Sequence, residues 1–401
     1  MPDPTADLIL RNVRPRGEAE TDILIRDGRI VAHGRQPDLP GVAVEDGRGA
    51  ILWPGLIDAH THLDKNLLGM GWHVNNRAAV LQGRIDYERE NRDTLGIDPH
   101  RQSMRHALEL VRTGATHIRS HVDIDTTHGL TVLEGVLKTR EELAGIIDIQ
   151  IVAFPQSGVM VRPGTVDLLD EALSMGCEVL GGLDPCGIDR DPKGQLDAIF
   201  GLAVKHGKPI DIHLHELGEL GAFTMGLIIE RVRANGMAGR VDISHAFTLG
   251  APDQARVAGL IEQLAELDIG LLTTGAPSSV VPSMKQCRAA GIRFAGGCDG
   301  VRDTWGPWNL PDMMDRARII GQKNGVRSDI DLRAVLEVVS EEGARILRLD
   351  DYGVEPGCRA DFLLFDAETI GEAVVQPATI PLVVKGGRVT ARGGQSVNVA
   401  P

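Results

Sequence analysis

Short apolar runs alternate with longer segments of helical spacing through the middle of the chain. Each run is followed by polar residues, and several of the longer segments stop at glycine, as helices commonly do. A run that is apolar on both faces is typical of a strand in a parallel sheet that helices cover on each side. The pattern therefore predicts a parallel α/β fold. The eight predicted strands end near His62, Asp123, Gln156, Asp184, Glu216, His245, Thr274 and Asp299.

Both ends of the chain have a different pattern, with apolar residues at alternate positions, as in half-buried strands. The N-terminal end has a hairpin signal at Asp27-Gly28, and the C-terminal end repeats the pattern around a Gly-Gly pair. Neither end alone forms a sheet with much core, so we expect the two to combine into one small β-sandwich. We predict that this domain contains residues 1–53 and 346–401, and that residues 54–345 form the other domain.

Composition limits the size, the partners and the compartment of the protein. The 401 residues are 42% hydrophobic, which suffices for one large core and a small extra domain. The net charge is −14 and there is no basic run, so nucleic acid and anionic membrane surfaces are unsuitable partners. No apolar run is long enough to span a bilayer, and the N-terminus lacks the features of a signal peptide. Together with five scattered cysteines and no CxxC pair, this predicts a reduced, cytoplasmic protein.

The stretch PGLIDAHTHLDK, residues 54–65, begins as a buried strand and ends in two histidines. His60 and His62 are two positions apart, so they point to the same side of a strand. Two imidazoles on one side of a strand end can share a metal ion. The alternative is a pair of polar residues satisfied by hydrogen bonds, but the neighbouring Asp58 and Asp64 favour the metal site.

This stretch resembles the first barrel strand of the amidohydrolase superfamily, a set of metal hydrolases whose motif there ends in His-x-His. The resemblance implies a (β/α)8 TIM barrel for residues 54–345, with a small β domain built from both chain ends. It also implies that His213, after the fifth strand, is the third metal ligand and that Asp299, after the eighth, is the fourth. Three imidazoles and a carboxylate suit zinc or iron and leave a position for water.

The same resemblance implies how many metal ions bind and what the neighbouring residues do. Binuclear members of the superfamily have a carboxylated lysine at the end of the fourth strand, which here reads CEVLGGLDPCG. It contains no lysine, so we expect one divalent ion, which lowers the pKa of its water toward about 7. Asp299 is then expected to take the proton of that water. Glu216 is expected to pass a proton to the substrate, and His245 to hydrogen-bond the developing charge.

The sequence FPQSGV after the third strand narrows the resemblance to the cytosine deaminase branch. It implies that Gln156 pairs with the amide edge of a pyrimidine, because an amide side chain donates and accepts at once. Trp305 matches an aromatic residue that packs on the substrate ring, with core packing as the alternative. Gly300 stands where that branch has an acidic residue. We hypothesise that this glycine makes room for a 5-substituted cytosine or a bulkier ring.

These residues together predict a metal-dependent deaminase that releases ammonia from a cytosine-like amino-heterocycle. A first alternative is an N-alkylamino-triazine (ammelide-type) aminohydrolase, which shares the His-x-His motif and the Asp-Lys after it and releases an alkylamine. A cyclic amide hydrolase and a non-catalytic binding protein are further alternatives. The expected partner is a small-molecule heterocycle, and related enzymes suggest a homo-oligomer. Residues 66–99 are either a lid over the site or a surface excursion.

Overall fold

The computed structural model describes residues 7–74 and 80–397, which form a barrel and a second sheet. The strands are β1 (Leu8–Pro15), β2 (Thr21–Arg26), β3 (Arg29–His33), β4 (Ala43–Asp46), β5 (Ile51–Pro54), β6 (Leu56–Thr61), β7 (Ala115–Asp123), β8 (Asp148–Phe154), β9 (Val179–Leu183), β10 (Ile210–His213), β11 (Val241–Ser244), β12 (Gly270–Thr273), β13 (Phe294–Gly296), β14 (Phe362–Phe365), β15 (Leu382–Lys385), β16 (Arg388–Arg392) and β17 (Gln395–Ser396). The helices are α1 (Leu81–Asn91), α2 (Pro99–Arg112), α3 (Thr131–Glu142), α4 (Thr165–Met175), α5 (Pro192–His206), α6 (Gly218–Ala234), α7 (Gln254–Glu266), α8 (Met284–Ala289), α9 (Met313–Lys323), α10 (Asp329–Val338), α11 (Glu341–Leu347) and α12 (Ile370–Val375).

Strands β6–β13 form the barrel, in which each strand pairs in parallel with the next along the chain. The barrel is nearly closed, because Thr61 of β6 forms a parallel bridge with Asp299, just beyond β13. Every residue of β6, β10 and β11 is buried, which explains why these strands read as apolar runs. The predicted (β/α)8 barrel is confirmed, and each strand ends at or shortly before the polar residue predicted to mark its end.

The helices between the barrel strands begin and end at residues suited to helix termini. Pro99 begins α2, and Asp98 before it accepts a hydrogen bond from the backbone N–H of Arg101 at 2.7 Å. Gly207 caps the carboxyl end of α5, and its φ of 63° is the left-handed conformation that glycine adopts without a steric cost. Most of the helices pack their apolar faces against the strands in one large cluster, and α11 packs against β6, β12 and β13 in a second. This core supports the strands and leaves their carboxyl ends to polar residues.

The two chain ends meet in a single sheet, because β5 from the N-terminal end pairs antiparallel with β14 from the C-terminal end. Strands β1–β4 extend this sheet on one side and β15–β17 on the other. Its hairpins turn at Asp27-Gly28 and Gly386-Gly387, where all four residues have positive φ, as tight two-residue hairpin turns require. The predicted small β domain built from both ends is confirmed, and its exact boundaries stay a proposal.

A buried ammonium group joins this sheet to the amino-terminal end of the barrel. Lys385 Nζ lies 2.6 Å from Asp361 Oδ2, 2.7 Å from Asp148 Oδ2 and 3.1 Å from His117 Nε2. The side chains of His117, Asp148 and Asp361 are close enough together to hold a metal ion. Because Lys385 already lies among them and balances the two carboxylates, the cluster is a structural ion-pair network.

The segment between β6 and α2, predicted to be a lid or a surface excursion, packs against the carboxyl end of the barrel. Its helix α1 buries Ile85 and Glu88, and Glu88 Oε1 lies 3.2 Å from Gln156 Nε2 after β8. Residues 75–79 lie outside the described ranges. The segment therefore forms part of the wall around the strand ends, and its movement as a lid stays a prediction.

Two further observations concern the whole chain. Among the helices of the described ranges, none combines the length and the apolar composition needed to cross a bilayer. The five cysteines all fall within those ranges, and all are free thiols.

Candidate metal centre and active site

A cavity of about 780 Å³ opens at the carboxyl ends of the barrel strands. This end of a (β/α)8 barrel carries the active site, because the loops after the strands converge there. The opening of the cavity includes the exposed apolar side chains of Trp308 and Leu310. The deeper part is polar and is lined by His62, Lys65, Gln156, His213, His215, Asp299 and Asp303.

The four predicted metal ligands converge beneath this cavity. Ring nitrogens of His60, His62 and His213 lie within 4.8 Å of one another. Asp299 Oδ1 lies 3.4 Å from His62 Nε2 and 3.7 Å from His60 Nε2. His60 Nε2 and both ring nitrogens of His213 are buried and have no hydrogen-bond partner among the described residues, although buried polar atoms normally have one. The residues therefore fit a divalent ion that takes three imidazoles and a carboxylate.

Two of the predicted site residues have a strained backbone. The φ angles of His245 and Asp299 are 68° and 62°, in the left-handed region that costs such residues about 1–3 kcal/mol. β6 fixes the turn at Asp299, because Asp299 N donates to His60 O at 2.8 Å and Thr61 Oγ1 donates to Asp299 O at 2.9 Å. Strain that the surrounding structure enforces in this way is common at functional sites, and here it aims the carboxylate at the histidines.

The charges of the centre are those that a metal ion requires. Burial alone would raise the pKa of Asp299, but its interactions with His60, His62 and His245 outweigh burial and hold the pKa well below its usual value. Burial lowers the pKa of His213 and of His245 well below that of a free histidine. The carboxylate is therefore ionised and these imidazoles are neutral, which is the form that binds metals.

His245, predicted to stabilise developing charge, lies beside Asp299 and packs against a second histidine. Its ring centroid is 4.2 Å from that of His215, with 30° between the ring planes. His215 lines the cavity, and its Nδ1 lies 2.8 Å from Asp184 Oδ2. Burial disfavours a charged His215 ring, but the carboxylate of Asp184 outweighs burial and raises the pKa of His215. His215 is thus a histidine oriented by a carboxylate, with Nε2 left for a ligand.

Glu216, predicted to pass a proton to the substrate, is held by hydrogen bonds from the loop after β9 and from α6. Its Oε1 accepts hydrogen bonds from the backbone N–H groups of Cys186 at 2.9 Å and Gly187 at 2.8 Å, and Thr224 Oγ1 donates to Oε2. The described wall of the cavity includes His215 but not Glu216. The carboxylate holds the loop after β9 in place, and proton transfer by Glu216 stays a prediction.

Gln156, predicted to pair with a substrate amide, lines the cavity with its own amide already engaged. Lys65 Nζ donates to its Oε1, and its Nε2 lies 3.2 Å from both Glu88 Oε1 and Asp123 Oδ2. The same two carboxylates lie 3.5 Å from Lys65 Nζ. Gln156 therefore orients a buried, charged lysine that also lines the cavity, and its pairing with a substrate stays a prediction.

The room that we predicted beside Gly300 is filled by protein. A Cβ atom added at Gly300 would lie 2.0 Å from Asp303 Oδ2. Asp303 cannot easily move, because its Oδ1 accepts hydrogen bonds from Trp305 N at 2.7 Å and Gly306 N at 2.9 Å. Burial raises the pKa of Asp303 to about 7. Gly300 still lines the cavity, but the space that its missing side chain leaves belongs to Asp303.

Trp305, predicted to pack on the substrate ring, lies on the cavity wall. The Lys65 ammonium group lies 5.4 Å from the centroid of its ring, within the range of a cation–π interaction. The side chain is therefore placed both to contact a ligand and to pack against Lys65. Contact with a substrate ring stays a prediction.

Lys65, His215 and Asp303 line the cavity although no role was predicted for them. For two of them the sequence carried a signal. Lys65 follows His62 in HTHLDK, and His215 shares a strand face with His213 in HLHE. Asp303 had none, because it lies in the loop after β13, whose course no periodic pattern indicates.

The fold and the site define a class of protein: a (β/α)8 barrel whose residues at the carboxyl ends of the strands fit a divalent metal ion. A sequence model of the Amidohydrolase family matches residues 43–391. The chain belongs to this family, and it is a hydrolase. The predicted membership of the amidohydrolase superfamily is confirmed.

Three relatives illustrate the similarity. The chain is 31% identical over 400 residues to the N-isopropylammelide isopropyl amidohydrolase of Pseudomonas sp. (strain ADP), covering 96% of each chain. The structure of N-isopropylammelide isopropylaminohydrolase from Burkholderia multivorans ATCC 17616 superposes with a TM-score of 0.94 and 46% identity, covering 98% of this chain and 100% of that chain. The structure of 5-methylcytosine deaminase from Klebsiella pneumoniae liganded with 5-fluorocytosine gives a TM-score of 0.85 and 26% identity, covering 98% and 99%. The predicted cytosine deaminase-like branch is confirmed.

Proposed function

We propose that the protein hydrolyses the bond between a ring carbon and an exocyclic nitrogen in an N-alkylamino-triazine of the ammelide type, releasing an alkylamine. This reaction was the first alternative to the predicted deamination of a cytosine-like ring. Similarity to two N-isopropylammelide hydrolases, at 31% and 46% identity over nearly the whole chain, favours it. The structural observation that carries the proposal is the cavity, which has a polar depth and an apolar opening.

The cavity suits a polar ring that carries an apolar substituent. In its depth, histidines and Lys65 can donate to the oxygen substituents of the ring, and Asp299 can accept from a ring N–H group. Trp308 and Leu310 at its opening are exposed to solvent. An alkyl group that covers them removes apolar surface from water, at about 25 cal/mol per Å². An unsubstituted amino group would leave these two side chains exposed.

The residues of the metal centre have separate roles in this proposal. A divalent ion would be held by His60, His62, His213 and Asp299. As a Lewis acid it would make hydroxide available near pH 7. Asp299 is ionised and accepts the proton of the attacking water. His245 hydrogen-bonds the oxygen as it adds to the ring carbon.

The leaving amine needs a proton before the C–N bond breaks. We assign its delivery to His215, because His215 lines the cavity and Asp184 both orients the ring and favours its protonated form. Glu216 was the predicted donor. Its carboxylate accepts hydrogen bonds from Cys186, Gly187 and Thr224, so in this proposal it holds the loop after β9.

Lys65 is suited to bind an oxygen substituent of the ring. Ammelide-type rings carry oxygens on the carbons away from the alkylamine. The ammonium group has three hydrogens, and its nearest carboxylates are at the long distance of 3.5 Å. It can therefore donate to a substrate while Gln156, Glu88 and Asp123 hold it in place.

The reaction is tested by offering metal-loaded protein N-isopropylammelide, ammelide, cytosine and 5-methylcytosine and measuring the released isopropylamine and ammonia. We expect isopropylamine, with a kcat/KM about 100-fold above that for ammonia from ammelide, since the ring is shared and only the apolar substituent differs. His62→Ala, which removes a metal ligand, is the inactive control.

Release of ammonia from 5-methylcytosine with no isopropylamine from N-isopropylammelide would overturn this proposal in favour of a second candidate. That candidate is the predicted deaminase of a 5-substituted cytosine. Its support is the superposition on the 5-methylcytosine deaminase and the position of Gln156 and Trp305 on the cavity wall. The filled space beside Gly300 counts against it.

Further parts of the proposal come from the sequence. We propose one metal ion per chain, zinc or iron, because four ligands converge on a single site and the fourth strand has no lysine. Elemental analysis of purified protein measures both the number and the identity. A homo-oligomer, a cytoplasmic location and the lack of nucleic-acid or membrane partners stay predictions.

A further inference from the structure

A series of hydrogen bonds leads from the metal ligand His60 into the interior of the barrel. His60 Nδ1 lies 2.8 Å from Ser244 Oγ, and Ser244 Oγ donates to Asp211 Oδ1 at 2.6 Å. Asp211 Oδ2 accepts a hydrogen bond from Arg119 Nη1 at 3.0 Å. All four side chains are buried. The proposed reaction assigns no role to Ser244, Asp211 or Arg119.

Arg119 is the fixed end of this series. Its Nη1 also donates to Asp242 Oδ2 at 2.9 Å, its Nη2 to Ile346 O at 2.7 Å and its Nε to Gln150 Oε1 at 2.7 Å. A guanidinium group is always protonated in proteins. Asp211 therefore faces a permanent positive charge, and its carboxylate acts as a hydrogen-bond acceptor.

The direction of the hydrogen bonds follows from the single hydrogen of the serine hydroxyl. Because that hydrogen goes to Asp211, Ser244 Oγ can only accept from His60. Nδ1 of His60 must then carry the ring hydrogen, and Nε2 must be left with its lone pair. Nε2 is the His60 nitrogen that lies 3.7 Å from Asp299 Oδ1 and has no partner within the described ranges.

We propose that Ser244, Asp211 and Arg119 are positioning residues that fix the tautomer and the orientation of His60 for metal binding. In many metal sites a carboxylate or a carbonyl accepts this hydrogen directly from the ligand histidine. Here a serine hydroxyl stands between the imidazole and the carboxylate.

His60 differs in this respect from the other two imidazole ligands. Nδ1 of His62 and Nδ1 of His213 have no hydrogen-bond partner in the part of the chain that the structure describes. Among the three imidazole ligands, His60 is therefore the one whose ring the protein orients through a hydrogen bond at Nδ1. Since the argument concerns metal binding alone, it does not depend on which substrate the enzyme takes.

The test is the zinc affinity of metal-free protein, measured by competition with a chromogenic chelator. We expect Ser244→Ala to bind zinc about 10–100-fold more weakly, as loss of such partners does in other sites. Ser244→Thr keeps the hydroxyl group and should restore most of the affinity. The matched control is Ser103→Ala, which removes another buried hydroxyl, bonded to Thr139 at 2.6 Å on the outer helices.

The control separates a positioning role from general destabilisation. If Ser103→Ala weakened zinc binding as much as Ser244→Ala, or if Ser244→Ala bound zinc like the unmodified protein, the proposal would be overturned.

A second measurement uses the unmodified protein and so does not depend on the folding of any variant. Nitrogen-15 spectra of the histidine side chains report which ring nitrogen carries the hydrogen. In metal-free protein we expect the neutral His60 ring to carry its hydrogen on Nδ1. A His60 ring with its hydrogen on Nε2 would contradict the proposal directly.

Discussion

At the scale of single residues, the site depends on which atoms are already engaged within the protein. His215 and Glu216 are adjacent in sequence and both titrate. Asp184 holds one nitrogen of His215 and leaves the other for a ligand, whereas Glu216 accepts two hydrogen bonds at Oε1 and one at Oε2. We therefore favour His215, whose Nε2 is left for a ligand, over the hydrogen-bonded carboxylate of Glu216 for proton transfer.

This difference gives a prediction for two neighbouring variants. His215→Asn should lower kcat for amine release by about 10²–10⁴, because the proton donor is lost. Glu216→Gln keeps an acceptor for Cys186 and Gly187, so kcat should fall by less than about tenfold. Steady-state kinetics and zinc content of both proteins test this. With zinc content unchanged, the reverse order of the two effects would return proton transfer to Glu216.

At the scale of elements, periodicity predicts what lies on regular structure. The spacing of two predicted that His60 shares a strand face with His62, and His213 with His215. Their position after the apolar runs predicted that they lie at one end of the barrel. Residues in loops carry no such information. Gln156 is engaged by Glu88, which α1 brings across the strand ends, and the space at Gly300 is taken by Asp303. Such contacts arise only once the whole chain has folded.

The contact between the second sheet and the barrel depends on Lys385, a side chain of β15. Lys385→Met removes the positive charge between Asp361 and Asp148. The buried Asp361 then loses its nearest positive charge and, in the described part of the chain, keeps only the more distant Arg359 Nε at 3.6 Å as a cationic partner. The free energy of unfolding should therefore fall by about 3 kcal/mol in urea denaturation.

The control for this prediction is Lys205→Met. Lys205 pairs with Asp170 at 2.7 Å on the surface, with 60% of its side chain exposed, so its loss should cost at most about 1 kcal/mol. Equal effects of the two substitutions would mean that Lys385 does not hold the sheet to the barrel.

At the scale of the whole molecule, acid stability is expected to depend on buried neutral histidines. His106 in α2 is fully buried, and its two ring nitrogens have no hydrogen-bond partner in residues 7–74 and 80–397. Burial, together with the nearby His62, lowers the pKa of His106 to about 3, compared with about 6.5 in an unfolded chain. As the pH falls, the unfolded state binds a proton at His106 before the folded state does. The stability of the folded state that depends on a neutral His106 is therefore fully present above about pH 6.5 and is lost as the pH falls toward 3.

His106→Leu should therefore flatten the loss of stability in acid. Between pH 7.5 and pH 4.5, the free energy of unfolding should fall by about 3 kcal/mol less in the variant than in the unmodified protein. Burial also lowers the pKa of His117 to about 3, so part of the slope should remain. Urea unfolding at the two pH values measures the effect, with Met104→Leu on the same helix as the control. A slope unchanged by His106→Leu would show that His106 is not kept neutral.

Because β5 pairs with β14, the second sheet can be completed only after the whole barrel has been synthesised. Pro54 pairs with Phe362, so β5 leaves the ribosome roughly 300 residues before its partner, or about 15–60 s earlier at 5–20 residues per second. The barrel is synthesised in between. During this interval the N-terminal strands have an unpaired sheet edge, which can pair with other chains. The last strands made complete the domain that the first strands began, and a chain released early would keep that edge exposed.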